Sequence, residues 1–273
     1  MIKKYIESFK RVVTRIVQYY TKENTWKNKR IRRKYKNSFL ALKDIHKGER
    51  CFIIGNGPSL TANDLSLLKG EYCFAANRIF YMFTKTSWRP TYYCAQDEVV
   101  ITDIAKDFGK LIPICDKLFL ISACYDKVEQ EVRDSGKALF FYAHYGSFHK
   151  EREFSDRIEN YISGGSTITY SAIQIAAYMG FSEIYLLGVD HNYSMATVTK
   201  DNNISKDDVK NSYFEGMPTT IKVTKPNTDN STLSFIKAKE YCDVHGIKII
   251  NATRGGKLEV FPRMQLEEIL NVK

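Results

Sequence analysis

The sequence predicts an α/β protein whose single large domain is a mostly parallel open sheet. Three observations predict it. Short apolar, partly β-branched runs recur from residue 51 onward, the pattern of strands covered on both faces. Several of them end in polar residues: Asn56 after the first, Asn77 after the second, Gln96 and Asp97 after the third. Two turns rich in Gly and hydroxyl residues, Gly55-Asn56-Gly57-Pro58-Ser59 and Gly164-Gly165-Ser166-Thr167, run into helical spacing. In an open parallel sheet the carboxyl ends of the strands form the ligand crevice, so the domain reads as Rossmann-like, with its site at that edge.

The chain has 273 residues, enough for one large domain or two small ones. Residues 1–50 hold sixteen Lys/Arg and four Asp/Glu, a balance of +12, whereas the whole chain is +10. The remainder therefore sums to −2. The basic character belongs to the N-terminal segment, and the domain offers no global basic footprint for nucleic acid. Residues 2–20 space Ile2, Tyr5, Ile6, Phe9, Val13, Ile16, Val17 and Tyr20 as one helical face, opposite Lys3, Lys10, Arg11 and Arg15. A basic cluster follows over residues 27–36. Such a pair suits an anionic membrane surface, or a solvated helix packed on the domain or on a second subunit. Residues 1–48 are read as a basic amphipathic arm and 49–273 as the nucleotide-binding catalytic domain.

The strands are expected at 51–55, 72–77, 91–97, 117–121, 138–142, 183–190 and 247–251. After the first, Gly55 and Gly57 allow a sharp turn and a close ligand approach. Ser59 is placed to cap a helix over residues 60–68. Gly164 to Thr167 open a buried helix that Gly180 ends, and amides with hydroxyls at such a start bind anions. The strand from Glu183 runs into Asp190-His191-Asn192-Tyr193. Residues 195–232 are polar and poorly periodic and read as a lid. A helix is expected over 232–245. Asn251 to Leu258 form a third Gly/hydroxyl turn carrying Arg254 and Lys257. These two cations are placed either to neutralise a leaving group or as surface charge.

Cys51, Cys73, Cys94, Cys115, Cys124 and Cys242 include no C-x-x-C pair and read as buried free thiols in a reducing cytoplasm. No secretory leader pattern opens the chain, and no run approaches the ~20 apolar residues of a membrane span.

The turn at Gly55 to Leu60, together with Asn77 and the segment Tyr178 to Asp190, resembles bacterial sialyltransferases that use CMP-activated sialic acid. Gly-Gly-Ser before the helix, Leu-Gly-Val-Asp-His after it and Asn251-Ala252-Thr253-Arg254-Gly255-Gly256 resemble more closely a broader family. It is named for a 6-hydroxymethylpterin pyrophosphokinase-like (MptE-like) domain and includes flagellin-glycosylation accessory factors and proteins of polysaccharide gene clusters. The sialyltransferase resemblance implies a variant GT-A Rossmann-type domain with a flexible lid, binding CMP without a metal. Cytidine and phosphate would lie against Asn56, Gly57, Asn77, Ser166 and the turn at Asp190. The lid histidine of those enzymes has no counterpart near residues 224–229. His191, Asp229, His144 and His149 remain as candidate bases, His191 first.

The expected function is a glycosyltransferase of surface polysaccharide or glycoconjugate assembly, moving a sialic or other nonulosonic acid from a CMP donor to a carbohydrate or glycolipid acceptor. Its catalytic residues are read as His191 and Asp190. Its donor site is read as Gly55, Asn56, Gly57, Pro58, Ser59, Asn77, Gln96, Asp97, Gly164, Gly165, Ser166, Thr167, Asn192, Tyr193 and Arg254. No metal and no cofactor beyond the CMP-sugar are expected. Expected partners are the donor, the acceptor, an anionic membrane reached through residues 1–47 and a second copy of the chain, with no nucleic acid. The place is the cytoplasm, at the inner face of the cell membrane. The alternatives are a Mg-dependent pterin pyrophosphokinase using Asp97 and Asp190, and a non-catalytic glycosylation accessory factor.

Overall fold

The structure, a computed structural model, describes residues 22–145, 153–193 and 198–271. The helix read over residues 2–20, His149 and the first residues of the lid lie outside these. In chain order the elements are α1 (Lys22–Leu40), β1 (Arg50–Ile54), α2 (Ala62–Leu67), β2 (Tyr72–Ala76), β3 (Tyr92–Ala95) and α3 (Glu98–Ile104). Next come β4 (Lys117–Ile121), α4 (Gln130–Asp134), β5 (Ala138–Phe141), β6 (Ala143–His144), β7 (Ile162–Ser163) and α5 (Ile168–Tyr178). The chain continues through β8 (Glu183–Leu187), α6 (Lys206–Ser212), α7 (Thr228–Val244), β9 (Lys248–Asn251) and α8 (Leu266–Asn271).

Seven strands form one sheet in the order β5-β4-β3-β2-β1-β8-β9, every pairing parallel. The apolar runs demanded this, because both faces of each strand are covered: Cys51 to Ile54, Cys73 to Ala76 and Leu118 to Ile121 are all buried. From β1 the chain winds outward to β5, then crosses back to lay β8 on the other side of β1. The strand order reverses between β1 and β8, the place where open sheets of this kind form a ligand crevice.

Helix α5 is buried at nine of its eleven residues. It lies between the sheet and α7, so an apolar stripe on one side would not suffice. Its Gln174 amide accepts from the backbone N–H of Ser155 and Ser163 and donates to the Ser163 carbonyl, which ties the approach loop to the helix.

Three expectations change. Helix α1 is no separate arm over its second half. Ile31, Tyr35, Phe39 and then Leu42 are buried in the same cluster as the sheet, with Tyr35 against Phe140 and Phe39 against Phe119. Their spacing of four, four and three is one helical stripe, which the density of basic residues hid. Second, Ser59 does not cap α2. Thr61 does, in a capping box with Asp64. Third, the lid over its described part is a packed layer. Ile204, Val209, Phe214, Met217, Ile221 and Val223 are buried, α6 is capped by Ser205, and α7 begins at Thr228 under an Asn227 cap, ahead of the expected start. The lid's apolar residues follow neither a helical nor a strand period, because they pack on tertiary neighbours.

Candidate functional site

A crevice opens at the carboxyl ends of β1, β2, β3 and β8 and is roofed by the lid. Its lining includes Gly55, Asn56, Gly57, Asn77, Gln96, Asp97, Ser166, Thr167 and the run Asp190 to Tyr193. Most of the residues read as the site thus come together. Pro58, Ser59, Gly164, Gly165 and Arg254 do not line it, among the described residues.

The turn after β1 is built by its neighbour. The Gly55 N–H donates to the Leu187 carbonyl at 2.8 Å and the Gly57 N–H to the Gly188 carbonyl at 2.9 Å. Ser59 donates twice to the Asp190 carboxylate, from its N–H at 3.2 Å and its hydroxyl at 2.7 Å. A Cβ on Gly55 would overlap the Gly188 carbonyl, and one on Gly57 would overlap the Asp190 carboxylate. The glycines therefore serve loop-to-loop packing. The amides at 55, 57 and 59, read as phosphate donors, are spent on the β8 loop.

Asp190 is held from the other side as well, because the Lys257 N–H donates to its carbonyl at 2.7 Å. Burial pushes the Asp190 carboxyl above the usual carboxylate range, against the stabilising donors of Ser59. Arg254 leaves the site altogether. It grips Asp64 at 2.7 and 2.5 Å and reaches the Ser59 carbonyl at 3.2 Å. Its charge is committed to a buried carboxylate behind the turn, so it does not face a leaving group.

Two amides stand out in the crevice. Asn56 donates from Nδ2 to the Ala76 carbonyl at 3.0 Å, and its Oδ1 is buried without a partner. Asn77 is held at φ 52° with its carbonyl accepting from the Tyr93 hydroxyl at 2.6 Å. Its Oδ1 too is buried and unpartnered. Buried polar atoms are rarely left so.

The other strand-end groups are engaged. Gln96 Oε1 accepts from the Ser171 hydroxyl at 2.6 Å. Asp97 caps α3, accepting from the N–H of Val99 and Val100 at 2.8 and 3.1 Å. Thr167 caps α5, whose first turn, Ile168 and Thr169, lines the crevice beside Ser166. Gly164 and Gly165 lie behind it, where a Cβ would overlap the Tyr145 ring or meet the Tyr170 ring at 2.6 Å.

His191 follows β8 at φ 54° and is buried. Its Nε2 lies 2.8 Å from the Thr232 hydroxyl oxygen. That hydroxyl donates its one proton to the Thr228 carbonyl at 3.0 Å. The network therefore assigns the imidazole proton to Nε2, and the lone pair to Nδ1. Burial pushes the imidazole below its ordinary value, with Asp229 opposing. His144, the other described base candidate upstream, is exposed on β6 beside Tyr161 and does not line the crevice.

Several lining residues were not read from the sequence. Ser212, Tyr213 and Lys225 come from the lid, and the Ser212 hydroxyl is buried without a partner. Only the lid's length hinted at them. The lid is tied down where the Phe214 N–H donates to the Asn56 carbonyl at 3.1 Å. Beneath it, the buried Arg78 donates to Asp103 and to the Lys222 carbonyl, both at 2.7 Å. No set of three His, Cys, Asp or Glu side chains able to hold a metal occurs among the described residues.

The chain belongs to the MptE-like family, described as 6-hydroxymethylpterin diphosphokinase MptE-like, which matches residues 23–196. The match takes in β1 to β8 and both loops at the reversal point, and it includes α1 from its second residue on. Among solved structures, the chain is similar to the MAf glycosyltransferase of Magnetospirillum magneticum AMB-1. The identity is 15% and the TM-score 0.49, over 87% of this chain and 39% of that one. It is also similar to the sialyltransferase CstII of Campylobacter jejuni, solved with cytidine-5'-monophosphate. There the identity is 17% and the TM-score 0.45, over 80% of this chain and 85% of that one. At these values neither structure assigns an activity. No curated protein matches the sequence.

Proposed function

We propose that the chain is a glycosyltransferase that takes a sugar from a nucleotide-activated donor, a CMP-linked nonulosonic acid, and passes it to a carbohydrate hydroxyl. The observation that carries this reading is the pair of orphaned oxygens, Asn56 Oδ1 and Asn77 Oδ1, in one crevice. A buried acceptor left unmade costs about 1–3 kcal/mol. A ligand that donates at both points relieves that cost. A phosphate at neutral pH is mainly an acceptor. The exocyclic amine of cytosine and the hydroxyls of a ribose are donors. The phosphate is better served by the first turn of α5 and by Lys225, which line the same crevice.

In this reading the acceptor oxygen attacks the anomeric carbon as the bond from that carbon to the phosphate oxygen breaks. CMP leaves with the electron pair, and His191 Nδ1 takes the acceptor's proton. Burial favours the neutral imidazole such a base requires. Lys225 and the α5 amides offset the charge growing on the phosphate.

The family's name favours a second reading, a pterin diphosphokinase, which would hold Mg-ATP on carboxylates. Its two candidate carboxylates are both engaged, Asp97 as the α3 cap and Asp190 by Ser59. Thermal melting with CMP, UDP, GDP, and ATP with Mg²⁺ and 6-hydroxymethylpterin separates the two. Saturating CMP at one hundred times its Kd should raise stability by about 2.7 kcal/mol, roughly 5–10 °C here, and Asn56→Ala with Asn77→Ala should abolish the rise. Stabilisation by ATP that requires Mg²⁺, with none by CMP, would sink the transferase reading. Silence with every nucleotide would favour a binding or assembly role.

A further inference from the structure

We propose that the outward face of α1 is a docking surface for an anionic phospholipid bilayer, carried rigidly on the domain. The inference stands apart from the transferase reading.

Burial of Ile31, Tyr35 and Phe39 fixes which side of α1 meets the sheet. The opposite side then holds Trp26, Lys29, Arg30, Arg33, Lys36 and Leu40, at offsets of three, four, seven, ten and fourteen. All six are exposed. None of the four cations is in an ion pair among the described residues, whereas Lys27 and Lys34 at the edge of the face are spent on Asp126 and Tyr125. No Asp or Glu occurs from residue 24 to residue 43. An ordinary solvated helix mixes both signs along its length, whereas Glu23 in the first turn is the one acid of this helix. The four cations are thus left without an acidic partner among the described residues.

The occupant is identified by what stands among those charges. Trp26 is 64% exposed and Leu40 44% exposed, and Ile45 just beyond the helix is 47% exposed. Lys29 lies over the Trp26 ring, 5.6 Å from its centroid. Cations read phosphate, but a Trp at one end of the face and aliphatic side chains at the other gain only where acyl chains adjoin the phosphates. Nucleic acid would take the charge and leave the aliphatic residues without use. The face is not a loose tail. Asn28 accepts from the Ser122 hydroxyl at 2.9 Å, and Tyr35 packs on Phe140 of β5. A bilayer on this face thus holds the sheet, and the crevice at its strand ends, in one orientation to the membrane.

The test uses the full chain. Sedimentation with phosphatidylcholine vesicles, with and without phosphatidylglycerol, should show binding only when the anionic lipid is present. Lys29→Glu, Arg30→Glu, Arg33→Glu and Lys36→Glu together should weaken it by at least about tenfold, since each cation near the surface contributes. These residues are exposed, so the melting temperature should hold, which reports that the fold is intact. Trp26→Ala should weaken vesicle binding while leaving retention on heparin unchanged. Removal of residues 2–20 should leave a large part of the binding. Vesicle binding by the charge-reversed variant equal to that of the parent would overturn the proposal. So would equal binding to neutral vesicles, indifference to Trp26→Ala, or complete loss on removing residues 2–20 alone.

Discussion

At the scale of single residues, His191 illustrates how a side chain is poised by what it does not touch. Its Nε2 is committed to Thr232, so Nδ1 keeps its lone pair. Under the transferase reading, His191→Asn should lower kcat by about 10²–10⁴-fold with little change in nucleotide Kd. The acid limb of the parent's pH–rate profile should lie below 6.5, because burial lowers the folded pKa. The stability consequence has the same sign. Below pH 6.5 the unfolded chain binds the proton that folded His191 resists, so stability should fall as pH drops from 6.5 through the lowered pKa. Melting of parent and His191→Asn across that range should diverge. A second residue-scale expectation concerns the lock between the two loops. Gly57→Ala puts a methyl into the Asp190 carboxylate and should cost about 1–3 kcal/mol. Ser59→Ala removes the hydroxyl donor to the same group, leaves the backbone N–H one, and should cost about 1.5–3 kcal/mol, the worth of a bond to a charged acceptor. Denaturant unfolding measures both. Asn56, Asn77, Asp190 and His191 were legible because strand ends announce themselves locally. The role of Arg254 was not, because its partner Asp64 lies 190 residues earlier.

At the scale of elements, the strands and α5 could be read because their periods are set by burial on both faces. The lid could not. Its buried side chains, among them Phe214 and Met217, follow the contour of the neighbouring loops. Arg78 holds this layer from below through the Lys222 carbonyl, with Asp103 accepting from the guanidinium, and Lys85 donates to the Glu215 carbonyl beside it. Arg78→Ala should loosen the lid while the sheet stays intact. Limited proteolysis should then cut within 198–227 faster than in the parent. Under the transferase reading, nucleotide Kd should rise by roughly 10-fold, the order of one lost charge-assisted hydrogen bond. Unchanged proteolysis would show that the lid is held without Arg78.

Across the whole molecule, the basic segment packs into the core of the domain from Ile31 onward. Tyr35→Ala or Phe39→Ala should cost about 3–5 kcal/mol, as aromatic truncations in a core do. Deleting residues 1–47 should therefore yield insoluble or unfolded protein, whereas deleting residues 2–20 should leave cooperative unfolding. Circular dichroism with thermal melting checks both. The six cysteines belong to the same core. All are buried and free, and burial pushes Cys73, Cys115, Cys124 and Cys242 up to about 12. They should react with a thiol reagent only on unfolding. No described helix is long and apolar enough to cross a membrane.

By itself the sequence determined the run of parallel strands, the polar residues at their carboxyl ends and the crevice these imply. Each follows from local rules: period, β-branching and turn preference. Only the tertiary structure decided which polar atoms remain for a ligand. The amides at 55, 57 and 59 looked available and are spent on the β8 loop, and Arg254 looked available and is paired. Asn56 and Asn77 were read as site residues from their places at strand ends, but that their Oδ1 atoms are left without partners follows only from the packing. Strands far apart in sequence become neighbours at the point where the order reverses, and that pairing settles each atom's partner.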